Sequence, residues 1–305
     1  MFIDLHIHST ASDGTDTPEE IAKKIEQYSG IKIFALTDHD TIAGIEKLPV
    51  IFSDTTFFIN GVEFSCKIAN GNKCHILAYF FDAANEEFQQ LLCKGNELRR
   101  VQLNIRLKYL SKKYNISFSE SDISEICQST IIGKPHIVNF VAQKFGLDKE
   151  TIYKDLRKCY VGDARQDVAT VIKAIKESDG ISVWAHPLGG EGEPLLSNEE
   201  FKSRLSELCK LGIQGLECYY SRYTNMQEDF LVQSARKNNL LISGGSDYHG
   251  LNKTIKLGEL GAESPDIKLN QLTILQRLVE NDINIPSELL TLEFYESCRY
   301  RSLKP

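Results

Sequence analysis

The sequence contains no long hydrophobic stretch, and its longest apolar run falls far short of the ~18 residues that would cross a membrane. Its first residues, MFIDLHIHST, have no basic residue before the first histidine and no apolar core with a small-residue cleavage site, so we expect no secretory signal. The eight cysteines form no C-x-x-C pair, which favours reduced thiols over a disulfide framework. We therefore expect a cytoplasmic protein that does not associate with membranes.

Positive charge is also scarce, because 35 Lys and Arg residues stand against 42 Asp and Glu residues and the formal net charge is −7. Broad electrostatic capture of nucleic acid normally needs a basic face, so this balance argues against long RNA or DNA as a ligand. Bound divalent cations could still supply local positive charge to an anionic substrate. No motif indicates an obligate protein partner.

The pattern of apolar residues predicts alternating strands and helices at both ends of the chain. Strands are predicted at 2–8, 32–39, 56–66, 73–82, 181–187, 215–220 and 240–247, with a hairpin between 56–66 and 73–82. Helices are predicted at 17–28, 168–178, 201–212, 227–239 and from about residue 270. The chain of 305 residues exceeds the ~250 of one α/β barrel, so we expect an insertion. The predicted organisation is a barrel of residues 1–90 and 161–290, an inserted helical subdomain at 91–160, and a C-terminal tail at 291–305.

Most of the seven histidines lie at or just beyond the ends of predicted strands, and carboxylates lie beside them. In α/β barrels the carboxyl ends of the strands build the active site, so these side chains should meet in one pocket. Imidazole and carboxylate groups are common ligands of divalent metal ions. The histidines at strand ends are His6, His8, His39, His186 and His249, and the neighbouring carboxylates are Asp13, Asp38, Asp40, Glu63 and Asp247.

The spacing within these segments favours a metal site of several ions. His6 and His8 alternate on one strand, so both side chains project to the same face, although a hydrogen-bonded core pair is an alternative. Asp247 and His249 repeat this spacing after two glycines that permit close backbone approach. Glu63 follows the apolar segment FFINGV, where an unpaired carboxylate would be costly to bury, so a partner such as a metal ion is expected.

Six motifs, in this order along the chain, resemble the PHP (polymerase and histidinol phosphatase) family: DLHIHSTASDGTDTPEEI, ALTDHDTIAG, GVEFS, CHILAYFF, WAHPLGG and GGSDYHG. The resemblance implies a distorted seven-stranded (β/α) barrel with a trinuclear metal site. It implies two to three divalent ions, with manganese favoured and zinc or iron as alternatives. Asp13 stands where some relatives have histidine, and an oxygen ligand favours manganese or iron over a site occupied by zinc alone.

The same resemblance implies which residues hold the ions. His6, His8, Glu63 and Asp247 would hold the first ion, Glu63, His75 and His186 the second, and Asp13, His39 and His249 the third. Glu63 would bridge two ions. Asp13, His249 or a metal-bound water would protonate the leaving oxygen, and spacing alone does not choose among them; the candidate catalytic residues are Asp13, Glu63 and His249. The expected reaction is in-line attack on phosphorus by a water molecule that bridges the first two ions.

Within the family, the helical insertion and the segment Gly133-Lys134-Pro135-His136 resemble the branch of nucleoside 3′,5′-bisphosphate phosphatases and 5′-to-3′ exoribonucleases. That branch usually has arginine where Lys134 stands. The substrate contacts that it implies are Lys134, His136, Arg99 and Arg222. For Arg99 the alternative is a position on the solvated face of a charged helix.

The leading prediction is a phosphatase that removes the 3′-phosphate from a small nucleotide, a nucleoside 3′,5′-bisphosphate. The acidic charge balance favours this substrate over RNA, because each further phosphate of a strand would ordinarily require another cation. An exoribonuclease that uses the same site on short RNA ends is the first alternative. A non-catalytic PHP module is the second, and the complete set of metal ligands counts against it. A histidinol phosphatase is a weaker fourth interpretation.

Overall fold

The computed structural model of the protein describes residues 2–48, 56–128, 131–161, 164–191, 193–263 and 271–280. The tail predicted at 291–305 lies outside these ranges. In the described part of the chain, no helix is long and apolar enough to cross a membrane.

The described residues contain eight β-strands, which belong to one sheet. Seven of them follow one another in the order β1-β2-β3-β4-β6-β7-β8, and the short β5 pairs with β3. The strands are β1 (Phe2–Ile7), β2 (Ile31–Leu36), β3 (Phe57–Lys67), β4 (Lys73–Tyr79), β5 (Gln166–Asp167), β6 (Ile181–Trp184), β7 (Gly215–Tyr220) and β8 (Leu241–Gly245).

The sheet nearly closes into a barrel, as the sequence predicts. The backbone amides of Asp247 and Tyr248, just beyond β8, both donate hydrogen bonds to the carbonyl oxygen of His6 in β1. Strands β3 and β4 form the predicted antiparallel hairpin, and β4 also runs antiparallel to β6. The remaining neighbours pair in parallel. The seven-stranded path confirms the predicted fold class, and β5 is a strand that the sequence analysis did not predict.

Nine α-helices are assigned in the described ranges. The first of them begins at a capping box, in which Thr17 and Glu20 each bond the backbone N–H of the other. The helices are α1 (Pro18–Lys24), α2 (Glu86–Tyr114), α3 (Glu120–Ile126), α4 (Lys134–Phe145), α5 (Lys149–Lys158), α6 (Val168–Glu177), α7 (Asn198–Lys210), α8 (Asn225–Lys237) and α9 (Gln276–Glu280).

The hydrophobic residues form separate cores for the barrel and for the inserted helices. The barrel core contains buried side chains from the strands and from α6, α7 and α8. A second cluster joins Leu107 of α2, Val141 of α4 and Ile152 of α5. The predicted boundary between residues 90 and 91 lies inside α2, and Leu91 and Leu92 at the start of that helix still pack in the barrel core.

Candidate active site

The nine predicted metal ligands converge at one end of the barrel, and none of them is more than 9% exposed. His6 lies in β1, Glu63 in β3 and His75 in β4, whereas the others lie in the segments that follow β1, β2, β6 and β8. His75 opens its strand, but the antiparallel register places it opposite Ser65, near the same end of the barrel. The ligands outside the strands are His8, Asp13, His39, His186, Asp247 and His249.

The carboxylate of Glu63 lies at the centre of this cluster. Its Oε1 atom is 2.8 Å from Nδ1 of His75 and 3.0 Å from Nε2 of His186. Burial alone would raise the pKa of Glu63, but the facing imidazoles, His75 first, hold that pKa well below its ordinary value. On the other side, Oε2 lies 3.0 Å from Nδ1 of His39, 3.3 Å from Nε2 of His8 and 3.4 Å from Nε2 of His6.

Ligand atoms within the cluster fall into three groups whose members lie within 4.8 Å of one another. One group is the set expected for the first ion, and another contains the set expected for the third ion together with His8. In the remaining group His39 joins Glu63 and His75, while His186 reaches the same carboxylate separately. The groups are His6, His8, Glu63 and Asp247; His8, Asp13, His39 and His249; and His39, Glu63 and His75.

Two of the imidazoles are oriented by hydrogen bonds from the ring nitrogen that faces away from the ligand cluster. Nδ1 of His6 lies 2.9 Å from Oε1 of Glu217, and Nδ1 of His249 lies 2.8 Å from the backbone oxygen of Asp247. Because both partners are acceptors, each Nδ1 carries the proton and each Nε2 presents its lone pair to the cluster. The sequence analysis did not predict Glu217, although it is a carboxylate in an apolar strand like Glu63.

Metal ions fit this arrangement, because several polar atoms in the cluster are not satisfied by the protein. Nε2 of His6 lies 3.1 Å from Nε2 of His8, a close approach of two ring nitrogens that a shared cation would stabilise. Oδ1 of Asp13 and Nδ1 of His39 are buried and form no well-oriented hydrogen bond with the described residues, although Nε2 of His249 lies 3.2 Å from the first and Oε2 of Glu63 lies 3.0 Å from the second. Such orphaned atoms are costly unless a ligand satisfies them.

Three residues at this end of the barrel have a positive φ angle although they are not glycines: Asp40 at 52°, His186 at 29° and Asp247 at 58°. Each such residue costs on the order of 1 kcal/mol and persists only where its surroundings fix it. Here the three backbone amides are bound by the carbonyl oxygen of Glu63, Oε2 of Glu217 and the carbonyl oxygen of His6, respectively. The segments that carry the ligands are therefore held by the protein itself.

The cluster opens into a cavity of about 520 Å³. Seven of the nine predicted ligands line it, and only His6 and His8 lie behind its surface. The volume is within the range of ~300–1,000 Å³ that is usual for small-molecule sites. The inserted helices α2, α4 and α5 supply much of the remaining wall.

No family model matches the chain, but several curated proteins and solved structures do match it. A 5′-3′ exoribonuclease of Haemophilus influenzae is 28% identical over 265 residues, which cover 84% of this chain and 93% of the relative. A phosphoribosyl 1,2-cyclic phosphate 1,2-diphosphodiesterase of Eggerthella lenta is 28% identical over 268 residues, covering 82% of this chain and 95% of the relative. A 3′,5′-nucleoside bisphosphate phosphatase of Chromobacterium violaceum is 24% identical over 257 residues, covering 81% and 87%.

The fold agrees with these relatives. A crystal structure from Bifidobacterium adolescentis, described as a metal-dependent phosphoesterase, superposes with a TM-score of 0.70 at 25% identity and covers 85% of this chain and 91% of that chain. These relatives and this fold support the PHP family for the chain. This PHP protein is a metal-dependent phosphoesterase, and therefore a hydrolase, and its buried histidine and carboxylate cluster is able to bind the metal ions.

One part of the cavity wall, the basic wall, carries the cationic side chains of Arg106, Lys134 and Arg165. Arg106 of α2 is 4% exposed, and burial lowers its pKa to about 9. Its guanidinium donates to Oε1 of Gln102 at 2.7 Å, but Nε has no partner, and no carboxylate among the described residues forms an ion pair with it. Lys134 lines the same wall, and burial, followed by the charges of Lys73 and Arg106, lowers its pKa to about 7. Arg165 also lines this wall.

The four predicted substrate contacts lie in different surroundings. Lys134 and Arg99 line the cavity, whereas His136 and Arg222 are not among its lining residues. Nδ1 of His136 accepts a hydrogen bond from the amide of Gly133, and Arg222 forms an ion pair with Glu191.

Arg99 is buried and joins the insertion to the barrel. Its Nε donates to Oδ2 of Asp40 at 2.7 Å, and its terminal nitrogen donates to Oγ of Ser65. The side chain is only 6% exposed, so the solvated position considered for Arg99 is wrong. Arg106 lies seven residues later on the same helix face, and the sequence analysis did not predict it.

Proposed function

We propose that this PHP enzyme removes the 3′-phosphate from nucleoside 3′,5′-bisphosphates. The observation that carries the proposal is the pairing, within one cavity, of the metal-ligand cluster with Arg106, Lys134 and Arg165, for which the described residues provide no ion pair. A substrate with two phosphates could place one phosphate at the metal-ligand cluster and the other at the basic wall. The Chromobacterium violaceum relative, whose name specifies this activity, supports the proposal.

We further propose two to three divalent ions, manganese foremost, held by the nine residues of the cluster. When bound, such ions neutralise charge on the phosphate and lower the pKa of water that attacks phosphorus. Glu63 holds two of the ligand groups together, because its two oxygens face different imidazoles. Asp13 and His249, whose Oδ1 and Nε2 atoms lie 3.2 Å apart, line the cavity, and the leaving oxygen would take its proton from one of them or from water.

The basic wall binds the second phosphate. A buried guanidinium without a carboxylate is costly, and a phosphate oxygen would satisfy the free Nε of Arg106. The ammonium group of Lys134 and the guanidinium of Arg165 lie on the same wall and would add two further donors. Binding of the second phosphate at the basic wall would distinguish a bisphosphate from a simple phosphate monoester.

A second candidate function is 5′-to-3′ exoribonuclease activity, and two observations favour it. Arg165 lines not only the cavity but also a groove of about 630 Å³ that α2 and α6 border, whose lining contains the cations Lys67, Lys94 and Lys173 and the carboxylates Glu87, Asp167 and Glu177. A strand of RNA could continue into that groove. The Haemophilus influenzae relative, whose name specifies this activity, is also more similar to the chain than the phosphatase relative is.

The test measures phosphate release by the manganese-loaded enzyme from adenosine 3′,5′-bisphosphate and from adenosine 3′-monophosphate, which lacks the second phosphate. Arg106→Gln should lower kcat/KM for the bisphosphate by about tenfold to a hundredfold, since a hydrogen bond to a charged group contributes ~1.5–3 kcal/mol. It should leave the monophosphate unaffected. Arg100→Gln, an exposed arginine of the same helix, is the matched control and should change neither reaction.

Two results would contradict the proposal. If Arg106→Gln lowers kcat/KM equally for both substrates, the basic wall does not bind the second phosphate. If the enzyme ignores both nucleotides but shortens a 5′-phosphorylated oligoribonucleotide, the exoribonuclease function is correct instead. His8→Ala, which removes a metal ligand, should abolish whichever reaction is found.

A further inference from the structure

One face of α5 forms part of the cavity wall. Glu150, Tyr153 and Arg157 are spaced at i, i+3 and i+7, so they share a face of the helix, and all three line the cavity. Among the lining residues of the described chain, Tyr153 is the one residue that is phenylalanine, tyrosine or tryptophan. The cavity thus has one planar aromatic surface besides its histidines.

The position of this ring is fixed by the adjacent face of the same helix and by the packing of Tyr153 against the core of the insertion. Ile152 and Leu156 are 0% and 2% exposed and pack in the apolar core of the insertion. Asp155 accepts from Lys113 of α2 at 2.8 Å, and Asp148 caps the helix by accepting from the amide of Thr151. A ring on a helix that is anchored in this way loses little further freedom when it meets a ligand.

The phenol of Tyr153 is an uncharged part of the cavity wall. Burial raises the pKa of the Tyr153 phenol, and the charges of Asp13 and Glu191 raise it further, so the hydroxyl group stays neutral at physiological pH. The walls formed by the metal ligands and by Arg106 and Lys134 suit phosphates. Tyr153 offers the surface that suits a flat and uncharged group.

We propose that Tyr153 is the residue on which the substrate's nucleobase stacks, so that the enzyme requires a base-bearing phosphate ester. This inference rests on the proposed function and adds the recognition of the base to it. Every nucleobase has a π-face, so stacking selects for the presence of a base and tolerates its identity. A phosphoribosyl substrate without a base would have no flat group to place against the exposed part of this ring.

The kinetic test compares adenosine 3′,5′-bisphosphate with ribose 3,5-bisphosphate, which has both phosphates and no base. Tyr153→Leu should raise KM for the nucleotide by about 5- to 150-fold, the equivalent of ~1–3 kcal/mol per stacked base, with kcat and the reaction of the base-free sugar unchanged. Tyr153→Phe should retain the nucleotide KM. Tyr160→Leu, a change at a 73% exposed tyrosine just after α5, is the matched control. Equal effects on both substrates, or no effect on either, would overturn the proposal.

A binding measurement separates this inference from the proposed reaction. Calorimetry on the manganese-loaded wild-type enzyme compares adenosine 5′-monophosphate with ribose 5-phosphate, and no turnover is needed. Stacking is supported if the wild-type enzyme binds the nucleotide more tightly than the sugar phosphate and Tyr153→Leu abolishes this difference. This conclusion holds even if no bisphosphate is hydrolysed. Equal affinity of the wild-type enzyme for both ligands would refute stacking, and this result does not depend on whether any variant folds.

Discussion

Glu217 of β7 offers a sharp test of how the protein fixes its metal ligands. The side chain is fully buried, and each of its oxygens has a different partner: Oε1 lies 2.9 Å from Nδ1 of His6, and Oε2 accepts from the amide of His186 at 2.6 Å. Glutamine has the same shape but only one accepting oxygen. In Glu217→Gln the amide NH₂ must therefore face either the Nδ1 proton of His6 or the backbone N–H of His186.

The loss expected from this change follows from the hydrogen bond that can no longer form. A hydrogen bond to a charged acceptor contributes ~1.5–3 kcal/mol, which corresponds to about tenfold to a hundredfold in affinity. If the amide turns towards His6, the imidazole must move its proton to Nε2 and can no longer offer that nitrogen to a cation. Outer partners of metal-bound histidines typically contribute a similar ~10–100-fold.

The assay is calorimetric titration of the metal-free enzyme with Mn²⁺, and the dissociation constant should rise by about tenfold to a hundredfold in Glu217→Gln. Phosphoesterase activity should return when manganese is raised to saturation. Glu199→Gln, at an exposed glutamate in the first turn of α7, is the control and should bind manganese like the wild type. A folded Glu217→Gln variant with unchanged manganese affinity would refute the reasoning.

Three further predictions concern the insertion and the closure of the barrel. Burial, together with neighbouring cations, lowers the pKa of Lys134 to about 7, so KM for the bisphosphate should rise as the pH increases through this value; Lys134→Gln should flatten the profile, and identical profiles would argue against phosphate binding there. Arg99→Ala leaves the buried Asp40 carboxylate without its guanidinium and should lower the free energy of unfolding in urea by about 3–5 kcal/mol; unchanged stability with a raised KM would instead identify Arg99 as a substrate contact. Gly245→Ala would place a Cβ 2.3 Å from that of His6, and the melting temperature should fall by the equivalent of about 1–3 kcal/mol, whereas wild-type melting would show that β1 and β8 can separate.

The strands and the ligand cluster could be predicted because their signals are local. Apolar runs mark strands that are buried on both faces, and His6, His8 and Glu63 lie within or directly after such runs. The predicted hairpin also accounts for the position of His75, because antiparallel pairing returns the start of β4 to the mouth of the barrel.

The basic wall could not be predicted in the same way. Arg99, Arg100 and Arg106 all belong to one charged helix, and only packing against the barrel and against α4 and α5 shows that the first and third are buried while the second is exposed. Strand β5 has only two residues, too few for a pattern, and its pairing with β3 depends on the return of the chain from the insertion. Glu217 lacks a visible partner in the sequence, because His6 lies 211 residues away.

The three residues with positive φ have a consequence for how the enzyme acquires its metals. Asp40, His186 and Asp247 are held by hydrogen bonds to protein atoms, and the barrel core is built from other side chains. The ligand geometry therefore does not wait for an ion to organise it, in contrast to small domains that fold only when metal binds. Loading can therefore follow folding as a separate step, and the metal taken up would reflect the divalent cations that the folded enzyme meets.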